Sequence, residues 1–370
     1  MPKLCLLYNF APKYREGIFT LIDKEFDCKW YFGCNDTDIK GLDYSLLKDV
    51  TELEVRRLPV KPFTWQKGAL ALLNNPEFHT FFILGDVFSL STWALLLKHK
   101  LRHRNKRIYL WTHGWYGKES AIKRWLKKRF FRASNGVFLY GNYARELMIR
   151  EGFDASKLFV IHNSLNYNHQ KEIRESLTKT DIYRNHFGND NPVLIFIGRL
   201  TVVKRLDLLL KVAAILKDSG KPVNVVFVGD GVQRDELSKM VNQLGLSDYI
   251  WFYGACYDEQ RNAELIYNAD VCVSPGNVGL TAIHAMTFGT PVITHSNFPY
   301  QMPEFEAITE NVTGAFFEYN NAASLAAVTA NWLKDNAARR EEIRQTCFRE
   351  IDTKWTPEFQ MKVIRENLKF

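Results

Sequence analysis

The sequence predicts an α/β protein built from two consecutive doubly wound, Rossmann-like domains that face a cleft. Short apolar runs alternate with helical stretches along the chain, which is typical of parallel sheets covered by helices on both faces. The alternation stops at a polar stretch near the middle and then begins again. The length of 370 residues fits two domains, each large enough to bury its own core.

The first half of the chain contains the first series of strands and helices. Its short apolar runs predict strands at residues 4–10, 29–33, 55–60, 81–86, 107–114, 136–141 and 158–163. Helices are predicted at residues 18–26 and 89–101, and Ser89 or Ser91 is placed to cap the second one. These elements define an N-terminal domain over residues 1–165.

The second half repeats the alternation after the polar residues 166–190, which we interpret as a linker. Strands are predicted at residues 193–200, 223–231, 249–254, 271–276 and 290–294. Helices are predicted between them, at residues 205–220, 233–245, 259–269 and 280–289. The C-terminal domain then covers residues 191–350, and residues 351–370 form a last helix that packs back on the N-terminal domain.

Composition excludes several classes of protein. A hydrophobic content of 46% with 24% charged residues suits a globular chain. The six cysteines are scattered without a C-x-x-C pair, which disfavours a structural zinc site and favours reduced thiols in a cytoplasm. The N-terminus lacks a signal-peptide pattern, and no run reaches the roughly 20 apolar residues that span a bilayer. We therefore expect a cytoplasmic location, with association at the membrane face left open.

Positive charge is concentrated in the first half. Residues 1–150 contain 26 basic and 14 acidic residues, and residues 101–150 alone contain 13 and 2. In this region a helix would carry Ile122, Trp125, Leu126 and Phe130 on one face and lysines elsewhere. The helix either packs this face on its own domain with solvated charges, or attracts anionic lipid head groups or a phosphate-bearing acceptor. Nucleic acid ranks below both, because no binding module surrounds the segment.

Two cations follow the first strand of the second half. Gly198 ends that strand, Arg199 comes next, and Lys204 lies five residues further on. Two fixed positive charges there can neutralise a diphosphate and stabilise the charge that develops on a leaving phosphate, without a metal ion. Cations near a helix N-terminus are electrostatically unfavourable unless an anion binds, which argues against two merely solvated side chains.

Several motifs in order resemble the group-one nucleotide-sugar glycosyltransferases of the GT-B fold, also called family four. They are FIGRLTVVKRLDLLL, VVFVGDGVQRDEL, WFYGACYDEQ, ADVCVSPGNVGLTAIHAMTFGTPVIT and MPEFEAITENVTGAFF, and they cover residues 191–335. The resemblance implies a hexosyltransferase of the EC 2.4 class with a nucleoside-diphosphate sugar as donor, retention of the anomeric configuration, and no cofactor or metal. It also implies that Arg199 and Lys204 contact the pyrophosphate.

The chain departs from the family at the loop of residues 276–280. Related enzymes carry two Glu residues here with seven residues between them, and the alignment places Gly276 and His284 at those positions. We expect Asn277 and the loop amides to bind the donor sugar, or Glu304 or Glu306 to approach it. His284 either hydrogen-bonds the ribose or is buried in helix packing. The other loop residues assigned to the donor are Val278, Gly279 and Leu280.

Candidate acceptor residues lie in the N-terminal domain. His113 ends a strand, and the resemblance implies a role at the sugar or the reacting centre, although it could equally be a polar strand end. Tyr14 and Arg15 lie in the first strand-to-helix loop, where Arg15 could meet an acceptor phosphate. The basic helix adds Lys123, Lys127 and Lys128. This charge, together with the family resemblance, favours an acceptor with its own phosphate, most simply a lipid-linked saccharide used in surface polysaccharide assembly, and a soluble acceptor stays open.

Two other functions remain open from the sequence. An enzyme of the same fold could epimerise a nucleotide sugar, although such enzymes use acidic residues in the cleft and both motif carboxylates are replaced here. The missing carboxylates could instead indicate a non-catalytic subunit that binds a sugar nucleotide.

Overall fold

The computed structural model describes residues 3–34 and 40–370, and the chain divides into two compact units. Unit 1 comprises residues up to Asn166 together with Thr356–Phe370, and unit 2 comprises Tyr167–Trp355. The last residues of the chain therefore belong to the same unit as the first ones, while the second unit is continuous.

Unit 1 is built on a seven-stranded parallel sheet whose order is β3-β2-β1-β6-β7-β8-β9. Its strands are β1 (Lys3–Tyr8), β2 (Cys28–Gly33), β3 (Val50–Leu53), β6 (Phe78–Leu84), β7 (Arg107–Thr112), β8 (Gly136–Leu139) and β9 (Leu158–Val160). The order reverses direction between β1 and β6, which is the switch point where doubly wound folds bind ligands.

Five helices belong to this unit: α1 (Glu16–Glu25), α2 (Leu90–Arg102), α3 (Ala121–Phe131), α4 (Asn142–Arg150) and α13 (Pro357–Asn367). The Oγ of Ser89 accepts from the backbone N–H of Thr92 at 3.3 Å, so Ser89 is the cap of α2. The core has two parts: Leu4 and Leu6 of β1 pack in one, and Cys5 and Leu7 in the other. This alternation explains why the first strand is apolar at every position.

One predicted strand of this unit is wrong in length and in place. Residues 55–60 do not join the main sheet; β4 (Val55–Arg57) pairs antiparallel with β5 (Thr64–Gln66) in a separate two-stranded sheet. The edge of the main sheet is β3, which the sequence analysis did not predict. Its residues are partly exposed and carry polar side chains, so they show no apolar run.

Unit 2 has a six-stranded parallel sheet of order β12-β11-β10-β13-β14-β15. Its strands are β10 (Val193–Ile197), β11 (Asn224–Val228), β12 (Ile250–Gly254), β13 (Val271–Ser274), β14 (Val292–His295) and β15 (Gly314–Phe317). Its helices are α5 (Tyr167–Ser176), α6 (Ile182–Phe187), α7 (Leu206–Asp218), α8 (Arg234–Gln243), α9 (Glu259–Asn268), α10 (Leu280–Thr287), α11 (Ala322–Asn336) and α12 (Arg340–Lys354). The switch point lies between β10 and β13.

The polar residues 166–190 are not a linker. They contain α5 and α6, and both helices pack within unit 2. The hydroxyl of Tyr183 in α6 donates to the carbonyl of Leu265 in α9 at 2.5 Å, and Ile173 of α5 is buried. Because these two short helices bury few side chains each, the segment shows too little apolar periodicity to predict them.

The C-terminal segment changes unit at residue 356 rather than at 351. Helix α12 and Trp355 remain in unit 2, whereas α13 packs against α1 in unit 1. Met361, Ile364 and Leu368 are buried in the same core as the first strand. A proline at the start of α13 separates it from α12.

Membrane-spanning helices and metal-binding clusters are both absent from the residues that the structure describes. None of their helices combines the length and the apolar character needed to cross a bilayer. No group of three or more His, Cys, Asp or Glu side chains among them is arranged to hold a metal ion. All six cysteines, Cys5, Cys28, Cys34, Cys256, Cys272 and Cys347, are free thiols.

Candidate functional site

The loops that follow β10 and β11 pack backbone against backbone. The N–H of Gly198 donates to the carbonyl of Val228 at 2.9 Å. Gly229 has a φ of 143°, and a Cβ on it would lie 2.0 Å from the Gly198 carbonyl oxygen. Glycine is therefore required at residue 229, and the two strand ends are joined rigidly at the point where Arg199 and Lys204 leave the sheet.

The loop at residues 276–280 lies directly on the backbone of residues 203 and 204. The N–H of Gly276 donates to the carbonyl of Lys204 at 2.9 Å, and a Cβ on Gly276 would lie 2.0 Å from the carbonyl oxygen of Val203. The sequence analysis aligns Gly276 with the first of the two Glu residues of the family. This close contact explains why no side chain is present there.

Lys204 is held against the same loop. Its Nζ donates to the carbonyl of Asn277 at 2.7 Å. Burial lowers the pKa of Lys204 to about 8; the negative charge of Glu304 opposes this shift and the positive charge of Arg199 adds to it. Arg199 itself is exposed on the loop after β10. The structure thus brings both predicted cations close enough to influence each other electrostatically.

Glu304 is one of the two acidic residues predicted to approach the donor sugar, and it lies beside the loop of residues 276–280. It is in the short 3₁₀ helix Pro303–Ala307 and is only 2% exposed. A Cβ on Gly279 would lie 4.0 Å from its Oε2. The buried Oδ1 of Asn277 has no hydrogen-bond partner among residues 3–34 and 40–370. A carboxylate and an amide oxygen are therefore placed where hydroxyl groups of a ligand could donate to them.

The sequence analysis assigned Val278 to the donor, but its backbone N–H is already bonded within the protein. It is buried, and its N–H donates to Oε1 of Gln301 at 2.7 Å, so this amide is not available to a ligand. The Nε2 of Gln301 donates to the carbonyl of His295 at 2.8 Å and to Oγ1 of Thr294 at 2.9 Å. Gln301 thereby fastens the loop to the end of β14. Sequence reasoning missed it, because an isolated glutamine in a loop carries no pattern.

The remaining predicted members of the loop begin α10. Gly279 is the N-cap position of this helix and Leu280 its first residue, and both are partly exposed. The first backbone N–H groups of a helix have no partner within the helix, and the helix dipole makes them favourable to anions. Gly279 and Leu280 thus lie at the start of a helix, and their contact with a donor stays a prediction.

His284 points to its helical neighbours. Its Nε2 lies 2.8 Å from Oε1 of Glu259 at the start of α9, and the same oxygen accepts from Nε2 of Gln170 of α5 at 2.7 Å. Burial alone would raise the pKa of Glu259, but the His284 charge and these hydrogen bonds lower it to about 2. The sequence predicted that His284 either hydrogen-bonds the ribose or is buried in helix packing, and these contacts of Nε2 correspond to helix packing.

Unit 1 contains a cavity of about 790 Å³ at the carboxyl ends of β1, β6 and β7. His113, Tyr14, Arg15, Lys123 and Lys127 line it, so the structure brings five of the six predicted acceptor-side residues together. Lys128 is not among the lining residues.

Burial lowers the pKa of His113 to about 4, and the charges of Arg15 and Lys127 contribute. His113 is therefore neutral at pH 7, and its buried Nδ1 has no hydrogen-bond partner in the described part of the chain.

The lysines of α3 are paired with acids. The Nζ of Lys127 lies 2.6 Å from Oε1 of Glu119, and the Nζ of Lys128 lies 2.6 Å from Oε2 of Glu151. Because these contacts already compensate both charges, Lys127 and Lys128 are weaker anion ligands than the sequence alone predicts.

Comparison with solved structures identifies the fold. HepE of Anabaena, in complex with UDP, aligns with a TM-score of 0.72 over 99% of both chains at 17% sequence identity. The apo form of the lipopolysaccharide outer core galactosyltransferase WaaB aligns with a TM-score of 0.73, over 99% of this chain and 100% of that one, at 13% identity. Likeness at such identities shows the fold, which is the GT-B fold of glycosyltransferases.

Residues 178–347 match the model of the family described as glycosyl transferases group 1, which confirms the resemblance over this part of the chain. The D-inositol 3-phosphate glycosyltransferase of Thermomonospora curvata is 30% identical over 176 residues, 44% of this chain and 39% of that protein. The alpha-D-kanosaminyltransferase of Streptomyces kanamyceticus is 22% identical over 177 residues, 47% of this chain and 46% of that protein. The chain spans less than half the length of these curated relatives.

Proposed function

We propose that the protein transfers a sugar from a nucleoside-diphosphate sugar to a hydroxyl group of an acceptor. The observation that carries this proposal is the partly buried Lys204, held on the loop of residues 276–280 with Arg199 close enough to lower its pKa. A partly buried ammonium group whose pKa has fallen to about 8 lacks enough negative charge around it. A diphosphate would supply that charge.

The same site provides groups for the sugar and for the reaction. The Glu304 carboxylate and the Asn277 Oδ1 can accept hydrogen bonds from sugar hydroxyls, while the amides that begin α10 can donate to phosphate oxygens. As the bond to the sugar breaks, negative charge grows on the leaving phosphate, and Arg199 and Lys204 stabilise it. With two fixed cations in this role, we propose that transfer proceeds without a metal ion.

Our choice of donor follows the solved structures, and our choice of stereochemistry follows the family resemblance. HepE of Anabaena was crystallised with UDP and with UDP-glucose, so we propose a uridine diphosphate hexose as the donor. Following the family resemblance, we propose retention of the anomeric configuration, with the leaving phosphate assisting deprotonation of the acceptor hydroxyl. The acceptor is a saccharide, used in surface polysaccharide or lipid-linked saccharide assembly.

Ligand-induced stabilisation tests the donor site. UDP-glucose, GDP-mannose and a cytidine diphosphate sugar are added separately to the parent protein and to Arg199→Ala and Lys204→Ala. The exposed Lys221→Ala, in the same unit, is the matched control. We expect one donor to raise the Tm of the parent and of the control but not of the two site variants. Equal stabilisation of all four proteins would refute the site.

The products of turnover distinguish sugar transfer from the two alternative functions, epimerisation and binding without catalysis. With the stabilising donor, UDP should accumulate only when a pool of saccharide acceptors is added. Formation of an epimeric nucleotide sugar without UDP release would indicate an epimerase. Binding without either product would indicate a non-catalytic subunit.

Helix α3 supports a membrane-linked acceptor. Ile122, Trp125 and Leu126 are 74%, 57% and 40% exposed, so this part of the apolar face does not pack into the core; the buried residues are Phe130 and Phe131. Exposed apolar side chains flanked by basic ones are typical of helices that lie in a membrane interface. We propose that α3 contacts the anionic cytoplasmic face of a membrane.

Sedimentation with lipid vesicles tests this contact. The parent should bind phosphatidylglycerol vesicles, and Trp125→Ser with Ile122→Ser should bind several-fold less, because both lose apolar contact with the interface. Val232→Ser, at an exposed apolar residue of unit 2, is the control. Equal binding by the double variant would contradict the proposal.

A further inference from the structure

The cavity of unit 1 contains a buried guanidinium group that lacks an acidic partner. Arg15 is 7% exposed, and no carboxylate forms an ion pair with it among residues 3–34 and 40–370. Arginine does not lose its proton in a protein, so the charge cannot be removed by a pKa shift. Burying a charge without a counter-charge is energetically unfavourable.

Aromatic rings compensate part of this cost. The guanidinium lies 4.7 Å from the ring centroid of Trp111, 5.4 Å from that of Tyr140 and 5.8 Å from that of Tyr8. One nitrogen, Nη2, donates to the Tyr140 hydroxyl. Cation–π contacts contribute about 0.5 to 2 kcal/mol each, and they leave the hydrogen bonds of the guanidinium incomplete.

Three buried polar atoms around the cavity have no hydrogen-bond partner in the described part of the chain. They are Nη1 of Arg15, the hydroxyl oxygen of Tyr8 and Nδ1 of His113. All three residues line the cavity, and they come from the first loop and from the ends of β1 and β7. Burying a polar group without a hydrogen-bond partner is unfavourable, so a ligand carrying acceptor oxygens would be stabilised by bonding to these groups.

Charge selects the kind of ligand. Among the other cations that line the cavity, Lys127 is paired with Glu119 and both Lys118 and Lys123 are exposed to solvent, so the buried positive charge without an acidic partner is that of Arg15. Aromatic side chains, including Phe10, Phe63, Phe88 and Trp93, form much of the wall and offer faces on which sugar rings stack. An anionic group attached to a saccharide fits both features.

We propose that this cavity binds a carboxylate or phosphate group of the acceptor saccharide, with Arg15 Nη1, the Tyr8 hydroxyl and His113 Nδ1 as its hydrogen-bond donors. The inference rests on the proposed function and specifies its acceptor as an anionic sugar. Since His113 and Tyr8 are neutral at pH 7, Arg15 is the charged member of this set of three donors.

Calorimetry on the full chain, with UDP present to occupy the proposed donor site, tests the inference. The probes are glucuronate, glucose 6-phosphate and, as the matched neutral sugar, glucose. At least one anionic sugar should bind about tenfold or more tightly than glucose. The comparison of the two anions identifies whether a carboxylate or a phosphate is preferred.

Variants assign this preference to the cavity. Arg15→Met should reduce the affinity for the preferred anion by about tenfold or more, and Tyr8→Phe by a smaller factor, because one neutral donor is lost. Arg102→Gln removes an exposed positive charge from the same unit and should leave the affinity unchanged. If Arg15→Met binds both anions as tightly as the parent, or if glucose binds the parent as tightly as they do, the inference is wrong.

Stability distinguishes this role from a purely structural one. Replacing an unpaired buried charge by an apolar side chain of similar length is often neutral or stabilising, so the ligand-free Tm of Arg15→Met should not fall below that of the parent. A lower Tm with unchanged anion affinity would show that Arg15 serves the packing of unit 1 instead.

Nucleotide binding is measured in parallel. Arg15→Met should bind UDP normally, and Lys204→Ala should bind the anionic sugar normally. If the parent binds no nucleotide, the proposed function fails, and the comparison of parent with Arg15→Met still decides the anion site.

Discussion

Lys204 is a cation that the fold partly buries before any ligand binds. Its Nζ is fixed by the Asn277 carbonyl, so the ammonium group does not have to be immobilised when a diphosphate arrives. Such preorganisation increases the share of the electrostatic attraction that appears as affinity. The same burial makes the protonation of this residue sensitive to pH near neutrality.

The pKa of Lys204 predicts the pH dependence of donor binding. Because the charged form is lost above about pH 8, the affinity for UDP should fall between pH 7 and pH 9, where the phosphates of UDP stay ionised. Lys204→Ala should bind about tenfold or more weakly at pH 7 and show a flatter profile. Calorimetric titrations at several pH values measure both, and identical profiles would contradict the assignment.

The lowered pKa of Lys204 also makes the stability of the folded state depend on pH. Between about pH 8 and the ordinary value of 10.5 the unfolded state binds more protons than the folded state, so the free energy of unfolding rises with pH in that window. This contribution is complete above pH 10.5 and is lost as the pH falls through about 8. A bound diphosphate should reduce the effect by raising the pKa of Lys204.

The close packing around Gly276 predicts that adding a single methyl group at this residue is destabilising. Gly276→Ala should lower the free energy of unfolding by about 2 kcal/mol, because its Cβ would press on the Val203 carbonyl and displace the loop that carries Asn277. UDP affinity should fall with it. Denaturant unfolding and calorimetry measure the two effects.

Gly220→Ala is the control for this substitution. Gly220 also has a positive φ, 72°, but nothing lies within 4 Å of the added Cβ, so the variant should lose about 1 kcal/mol and keep its UDP affinity. Unchanged UDP binding in Gly276→Ala would show that the loop does not hold the donor.

At the scale of elements, one hydrogen-bonded cluster joins three helices. Glu259 of α9 accepts from Gln170 of α5 and contacts His284 of α10, so residues distant in the chain stabilise the same corner of unit 2. The side chain that aligns with the family's second Glu thus serves the packing of helices. A carboxylate at residue 284 would face Glu259, and two like charges there would repel each other.

His284→Ala should lower the stability of unit 2 by about 2 kcal/mol, because Glu259 would remain buried with a weaker partner set. The affinity for UDP should change by less than about twofold, since Nε2 is engaged with Glu259. Thermal unfolding and calorimetry are the measurements. A large loss of affinity without a change in Tm would instead support the ribose role.

This cluster also contributes to acid sensitivity. The pKa of Glu259 is about 2 in the folded state and 4.5 when unperturbed, so its stabilisation is complete above pH 4.5 and is lost as the pH falls towards 2. His284→Ala should flatten the pH dependence of unfolding in this range.

Most elements were predictable because their strands are buried on both faces and read as apolar runs. The exceptions have physical reasons. Strand β3 is at the sheet edge and polar, and the short helices α5 and α6 bury few side chains each. The chain around residues 55–60 turns away from the main sheet to pair with β5, which local composition does not reveal.

At the scale of the whole molecule, the C-terminal segment completes the first unit. Helix α13 buries Met361 and Ile364 in the core of unit 1, and Leu368 directly after the helix is buried there too. Nε2 of Gln360 donates to the carbonyl of His162 at 2.9 Å. The last residues of the chain are therefore part of the fold of its first domain.

Truncation after Trp355 should destabilise unit 1 selectively. Three apolar side chains at about 1.5 to 3 kcal/mol each represent a free energy comparable with the whole stability of a small domain. Proteolysis should then cleave residues of unit 1 first, while UDP still protects unit 2. The double substitution Lys362→Ala with Glu366→Ala, at exposed positions of the same helix, should have little effect. Resistance of the truncated chain equal to that of the parent would contradict this assignment.

The sequence by itself determined the two α/β units, the family of residues 178–347, and the pair Arg199 and Lys204, because these depend on local runs and on short motifs. Only the tertiary structure decided that Gly276 is pressed against Val203, that His284 pairs with Glu259, and that Arg15 is enclosed by aromatic rings without a counter-charge. Those contacts join residues from distant parts of the chain, and the order of strands in a sheet, which brings them together, leaves no local pattern in the sequence.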